Sequence, residues 1–225
     1  MFLTTALLVL KKDFAIEVKS REIVYTTLLF AMSCILVFSL TFVVAGEPLR
    51  DAAAGIIWIA VAFSGTLALG RTFERERYAE TLRALLLAPA PRSAIYLGKF
   101  LGMVALLLAT EVVIVPLVAV LFQAELFAKL PLLVALLFLG TVGFAGVGTL
   151  FAAMLVRART RDVLLPILLY PITVPVMIAG VRGTSALMQD PAEEALAIMW
   201  IAILASFDVV FITLALWTFE PLMTE

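Results

Sequence analysis

Two carboxylates, Glu111 and Asp208, lie near the middle of long apolar runs in this 225-residue chain. An ionised side chain in lipid costs at least ~2.5–3.5 kcal/mol, so such residues usually face the protein interior and have a task. That task is either a polar patch on a path across the membrane or contact with a partner subunit. A structural hydrogen bond, with one or both groups protonated, is the alternative. No Lys or Arg lies deep in any apolar run to pair with them.

Residue types that support enzyme or metal chemistry are scarce. The chain has no histidine and one cysteine, Cys34. It therefore lacks the commonest general base and the commonest metal ligand. An intramembrane hydrolase is disfavoured, because no convincing Ser, Cys or metal constellation accompanies the missing histidine. We expect neither catalytic residues nor a metal site.

The elements that position the two carboxylates must be membrane helices. Apolar residues make up 64% of the chain and charged residues 15%, whereas soluble domains average ~45–50% and ~25%. Backbone amides in lipid need partners within their own segment, and ~20 apolar residues cross the bilayer as a helix. We predict an all-α polytopic membrane protein, with one transmembrane domain over residues 1–225. Its six predicted spans are 23–45, 52–70, 100–122, 130–156, 163–181 and 199–219.

Lysine and arginine alternate between the two sides of this predicted topology. The N-terminal segment and the loops after spans two and four hold thirteen of the 16 basic residues, and the other loops hold Arg50, Lys129 and Arg182. Because cytoplasmic segments are enriched in Lys and Arg, both termini are predicted to be cytoplasmic. The net charge of −1 gives no reason to expect a nucleic-acid partner.

Two further helices are predicted outside the spans. Residues 1–21 resemble an amphipathic helix lying at the cytoplasmic membrane surface, with a frayed tail as the alternative. Residues 182–198 are predicted to form the outer, periplasmic loop. Within this loop we predict a short helix with Asp190 at its cap, Pro191 at its first position, and Glu193 and Glu194 in its first turn.

The densest charge lies in the cytoplasmic region 71–99. Residues 72–87 contain neither Gly nor Pro, and Glu74 can pair with Arg77 along one helix face. We predict an amphipathic helix here, stopped by Pro89 and Pro91. Such a helix either lies at the lipid interface or presents a surface to a cytosolic protein. The mixture of both charge signs favours the protein partner, because lipid binding usually enriches Lys and Arg alone.

The segment "FERERYAETLRALLLAPAPRSAIYLGK", together with "ILLYPITVPVMI" in span five, resembles the haem exporter protein B (CcmB) family. The family pattern falls on Phe73, Glu74, Glu76, Leu82, Leu85, Leu86, Pro89, Tyr96 and Lys99. The wider architecture is similar to the permease subunits of type-2 ABC exporters. The resemblance covers essentially the whole chain and implies a membrane subunit of the cytochrome c maturation complex in the bacterial inner membrane.

The resemblance implies that ATP and Mg²⁺ bind a separate ATPase subunit, in two copies. The sequence agrees, because it contains no GxxxxGK[ST] phosphate loop. The resemblance further implies a haem-handling membrane subunit and a haem chaperone. It assigns contact with the ATPase to Arg71, Phe73, Glu74, Arg75, Glu76, Arg77, Glu80, Leu82, Arg83, Leu85 and Leu86.

No cofactor is expected on this chain itself. Several side chains can in principle bind haem iron, namely Met154, Met177, Met188, Met199 and Tyr170. Without histidine we expect no stable haem site, so that partner subunits handle any haem. Two other functions stay open: an ABC exporter of a drug, lipid or polysaccharide, and a scaffold of the maturation complex that transports nothing.

Glycine and proline patterns suggest how the spans pack and bend. Pro166, Pro171 and Pro175 each remove a backbone hydrogen bond from span five, which gives either a kinked packing helix or a transport hinge. Gly98 and Gly102 form a GxxxG pattern that permits close helix contact, within the chain or across a dimer.

Overall fold

The computed structural model of the chain describes residues 2–44, 47–48, 51–78, 92–158 and 160–222. Nearly all of them are helical, as the apolar runs require when the backbone must bond within its own segment. Seven α-helices lie in these residues: α1 Phe2–Ser20, α2 Glu22–Thr41, α3 Ala52–Tyr78, α4 Arg92–Leu121, α5 Leu130–Met154, α6 Arg161–Leu187 and α7 Glu194–Leu222. Two 3₁₀ turns, Leu126–Lys129 and Leu155–Arg157, flank α5.

Six of these helices, α2 to α7, are long and apolar enough to cross a membrane. Each coincides with one predicted span, so the all-α polytopic fold is confirmed. A minor addition is the antiparallel pair of two-residue strands, β1 Val43–Val44 and β2 Glu47–Pro48, which follows α2.

Helices α3 and α5 are the most buried spans, and α2 and α7 are the most exposed. Helix α5 packs against α3, α4, α6 and α7, whereas α2 packs mainly on α3 and α4. We call the end of the bundle that carries Glu22, Arg71, Arg92 and Arg161 the basic end, and the other the opposite end. One apolar cluster fills each half, around Phe144 at the basic end and around Trp58 at the opposite end.

Small residues let large side chains from neighbouring helices approach the backbone. A Cβ at Gly140 would overlap the ring of Trp58, and one at Gly65 would lie 2.5 Å from Cε1 of Phe144. Membrane helices associate through such close packing, since lipid gives no hydrophobic drive between them.

The structure corrects two predicted boundaries. The separate short helix predicted with Asp190 at its cap and Pro191 at its first position is wrong: α6 continues to Leu187, and the next helix is α7, which starts at Glu194 and runs on as the sixth span. Glu194 does lie in the first turn of a helix, as predicted. Asp190 and Pro191 lie in the turn between them. Residues 92–99, predicted to belong to the cytoplasmic region before span three, are the first two turns of α4, since no Gly or Pro interrupts them before Gly98.

Candidate functional site

The charged stretch begins inside a membrane span. Helix α3 runs without interruption from Ala52 to Tyr78, so Arg71 and residues 73–77 continue the span. The helix predicted for residues 72–87 therefore does not begin at Thr72: residues 72–78 are helical as the last part of α3, because nothing in the sequence breaks the helix between its apolar and charged parts. Its remaining part, from residue 79 on, lies outside the described residues. The predicted contact residues Glu80, Leu82, Arg83, Leu85 and Leu86 lie outside the described residues, and their role stays a prediction.

Two arginines connect this part of α3 to its neighbours. Arg71 Nη1 lies 3.0 Å from Glu22 Oε1 at the start of α2. Arg161, at the start of α6, donates from Nη2 to the Gly70 carbonyl over 3.3 Å. Arg161 is buried although it lies next to the helix terminus. Sequence reasoning counted Arg161 only as a topology signal, since its burial depends on a contact between distant segments.

Lys99 and Tyr96 are buried in the first turns of α4. Lys99 Nζ lies 2.7 Å from Asp13 Oδ2 of α1, and the Lys99 side chain is 3% exposed. The Tyr96 hydroxyl donates to the Gly146 carbonyl of α5 over 2.9 Å, and its ring stacks on Phe100. These two family-pattern residues therefore hold α4 to α1 and α5. Asp13 was missed in the sequence because its partner lies 86 positions away.

Helix α1 lies directly on α4 through the GxxxG pattern. A Cβ at Gly98 would lie 2.7 Å from both the Ala6 carbonyl oxygen and Cβ of Val9. Gly102 faces Leu10. The pattern is thus used within the chain. The helix predicted for residues 1–21 is present as α1, with one side buried on α4 and apolar side chains such as Leu7 and Phe14 exposed.

Glu111 faces α5 from α4 and is 3% exposed. The Thr141 hydroxyl donates a hydrogen bond to Glu111 Oε1. Glu111 Oε2 is buried and has no hydrogen-bond partner among the described residues. Glu111 is therefore an interior polar group that is half satisfied, which agrees with the structural role and leaves one oxygen for another donor.

Asp208 reaches α5 from the other side. Its Oδ1 would be 2.6 Å from a Cβ at Gly143, and neither carboxylate oxygen has a hydrogen-bond partner in the described part of the chain. Thr141 and Gly143 are two residues apart, which is about 200° around a helix. The two carboxylates thus lie on opposite faces of α5 and do not form a pair. Since Asp208 is 5% exposed, it faces the interior of this chain rather than a partner.

The three prolines of span five lie inside α6, which stays helical from Arg161 to Leu187. Hinge motion at Pro166, Pro171 and Pro175 stays a prediction.

Comparison with known proteins finds similarity along most of the chain. The family described as CcmB protein matches residues 4–221. Three relatives have the printed name Heme exporter protein B. That of Rhodobacter capsulatus is 36% identical over 135 residues, which are 60% of this chain and 62% of the relative. That of Haemophilus influenzae is 27% identical over 170 residues, or 76% of each chain. That of Pseudomonas aeruginosa is 25% identical over 179 residues, 80% of this chain and 79% of the relative.

Proposed function

This chain belongs to the CcmB protein family, and from that premise we propose that it is the membrane subunit of an ATP-binding-cassette complex. The complex exports haem, or releases a haem chaperone, in cytochrome c biogenesis. The chain is a transporter subunit rather than an enzyme. ATP and Mg²⁺ bind a separate ATPase, in two copies, while a haem-handling membrane subunit and a haem chaperone complete the complex.

One observation carries the mechanistic part of the proposal. Helix α3 joins a buried membrane span to a run of alternating charges without a break, from Ala52 to Tyr78. A force applied to Arg75 or Arg77 therefore acts on the buried part of the same helix. Ionic contacts give specificity to such a surface, because mismatched charges at an interface cost several kcal/mol.

The distribution of Lys and Arg supports a cytoplasmic location for the charged part of α3. The basic end contains the charged part of α3, and cytoplasmic segments are enriched in basic residues. We propose that the protein lies in the bacterial inner membrane with the basic end and both termini in the cytoplasm. Glu111 and Asp208 are then the candidate polar groups within the membrane.

Charge reversal tests the proposed ATPase contact. In the complex, Arg75→Glu combined with Arg77→Glu should lower the recovery of the ATPase at least about tenfold, or ~1.4 kcal/mol. The variant chain itself should stay in the membrane at normal abundance. Arg182→Glu is the matched control, since Arg182 is exposed at the opposite end. Unchanged ATPase recovery and hydrolysis in the double variant would show that the charged part of α3 does not couple the two subunits.

A further inference from the structure

Helices α3 and α6 run antiparallel and share polar contacts at three heights. At the basic end, Arg161 donates to the Gly70 carbonyl over 3.3 Å. In the middle, the Thr66 hydroxyl donates to the Tyr170 hydroxyl over 3.2 Å. Towards the opposite end, Trp58 Nε1 donates to Thr184 Oγ1 over 3.1 Å. We call these three interactions the α3–α6 contacts.

The prolines of α6 lie between these contacts. Pro166 separates Arg161 from Tyr170, and Pro171 and Pro175 separate Tyr170 from the turn that holds Thr184. Each proline removes one backbone hydrogen bond, so α6 bends most easily at these positions. Each stiffer segment of α6 is therefore attached to α3 at a different height.

Trp58 holds α3 firmly in place near the opposite end of the bundle. Its side chain is fully buried, and its ring occupies the space that a Cβ would need at Gly140 of α5 and at Gly180 of α6. Helix α3 contains no proline between Ala52 and Tyr78. Along an α-helix, the 12 residues from Trp58 to Gly70 span about 18 Å, so a tilt of about 10° around Trp58 moves Gly70 by about 3 Å.

We propose that the α3–α6 contacts transmit movement of the charged end of α3 into bending of α6 at its prolines. Trp58 and Thr184 hold the segment beyond Pro175 in place. The contact of Arg161 with Gly70 makes the segment before Pro166 move with α3. The contact of Tyr170 with Thr66 does the same for the segment between Pro166 and Pro171. These five side chains are positioning residues, and the inference rests on the proposed ATPase coupling at the end of α3. The inference adds the route by which movement of α3, caused by the ATPase, reaches α6.

Two spin-label distances test this route in the assembled complex with its ATPase. The first pair joins Met154 of α5 to Val163 of α6 near the basic end, and the second joins Val134 of α5 to Ile178 of α6 nearer the opposite end; all four side chains are exposed. Cys34 is replaced by Ser. Adding a non-hydrolysable ATP analogue should change the Met154–Val163 distance by up to about 3 Å, the displacement of Gly70 under the 10° tilt. The Val134–Ile178 distance should change much less.

Variants of the middle contact separate transmission from packing. Thr66→Val removes the hydroxyl and should at least halve the nucleotide-dependent change at Val163. Thr66→Ser keeps the hydroxyl and should preserve the change. Tyr170→Phe breaks the same contact from α6 and keeps the ring next to Phe63, so it replaces Thr66→Val if that variant is not recovered.

The outcomes distinguish the two proposals. Equal distance changes in the wild type, Thr66→Val and Tyr170→Phe would overturn the transmission route and leave the ATPase coupling intact. A wild-type complex that binds nucleotide but shows no distance change would overturn the route as well. Failure of the wild-type chain to bind any ATPase would overturn the proposed function, and the route with it.

Discussion

Replacing Gly98 by Ala should loosen α1 from α4, whereas replacing Gly102 by Ala should not. At Gly98 the added Cβ would meet the Ala6 carbonyl oxygen and the Val9 Cβ, each at 2.7 Å. Both atoms belong to or adjoin the backbone of α1 and cannot rotate away, so the helix itself must move. At Gly102 the nearest atom is Leu10 Cδ1 at 3.6 Å, an ordinary contact made by the end of a flexible side chain.

The difference in α1 docking between the two variants measures the steric overlap at Gly98 alone. Each gains about 1 kcal/mol from replacing Gly by Ala within a helix. Only Gly98→Ala adds the cost of overpacking, typically about 1–3 kcal/mol. Because 1.4 kcal/mol is a factor of ten, the undocked population of α1 should be about 5- to 150-fold larger in Gly98→Ala than in Gly102→Ala.

Thiol accessibility measures this population. A single cysteine is placed at Val9, which is 5% exposed when α1 is docked, in a Cys34→Ser background. The rate of labelling with a polar maleimide should be slow in the parent and in Gly102→Ala. It should rise by the factor above in Gly98→Ala. Equal labelling rates for the two alanine variants would refute the packing of α1 on Gly98.

Three further predictions concern single side chains. Tyr96→Phe should lower thermal stability in detergent by about 1 kcal/mol, since it removes only the hydrogen bond to Gly146 and leaves the aromatic ring in place. Glu111→Gln should keep the membrane abundance of the chain, because its amide oxygen still accepts from Thr141; loss of the protein on immunoblots would assign Glu111 a structural role instead. Lys129→Ala should lower the free energy of unfolding by less than about 1 kcal/mol, because its ion pair with Glu194 is exposed, and a larger loss of stability in thermal melts would contradict that reasoning.

The six spans were predictable because a backbone in lipid can satisfy its hydrogen bonds in few ways. A long apolar run must be helical, so all six spans appear where they were predicted, although the third begins eight residues earlier and the fifth ends six residues later than predicted. The boundary at Arg71 failed for the same reason: charge ends a membrane span but does not end a helix. Residues 92–99 were misplaced because polar side chains among them are buried by protein rather than exposed to water: Lys99 pairs with Asp13 of α1, and Tyr96 donates to Gly146 of α5.

Long-range contacts could not be predicted from the sequence. The slot for Trp58 is made by two glycines on separate helices, and a single glycine does not reveal which side chain it accommodates. The two membrane carboxylates were recognised from their type alone. Their placement on opposite faces of α5 depends on the packing of α4 and α7, which an amphipathic pattern cannot reveal when every face is apolar.

Native co-purification in mild detergent tests the central claim most directly. The complex is isolated through a tag on this chain, its partners are identified by mass spectrometry, and its haem absorption spectrum is recorded. The account predicts an ATPase with a phosphate-binding loop, recovered together with a haem-containing membrane protein. An ATPase without haem proteins would point to export of another cargo. Recovery of the chain without any ATPase would contradict the assignment as the membrane subunit of an ATP-driven complex.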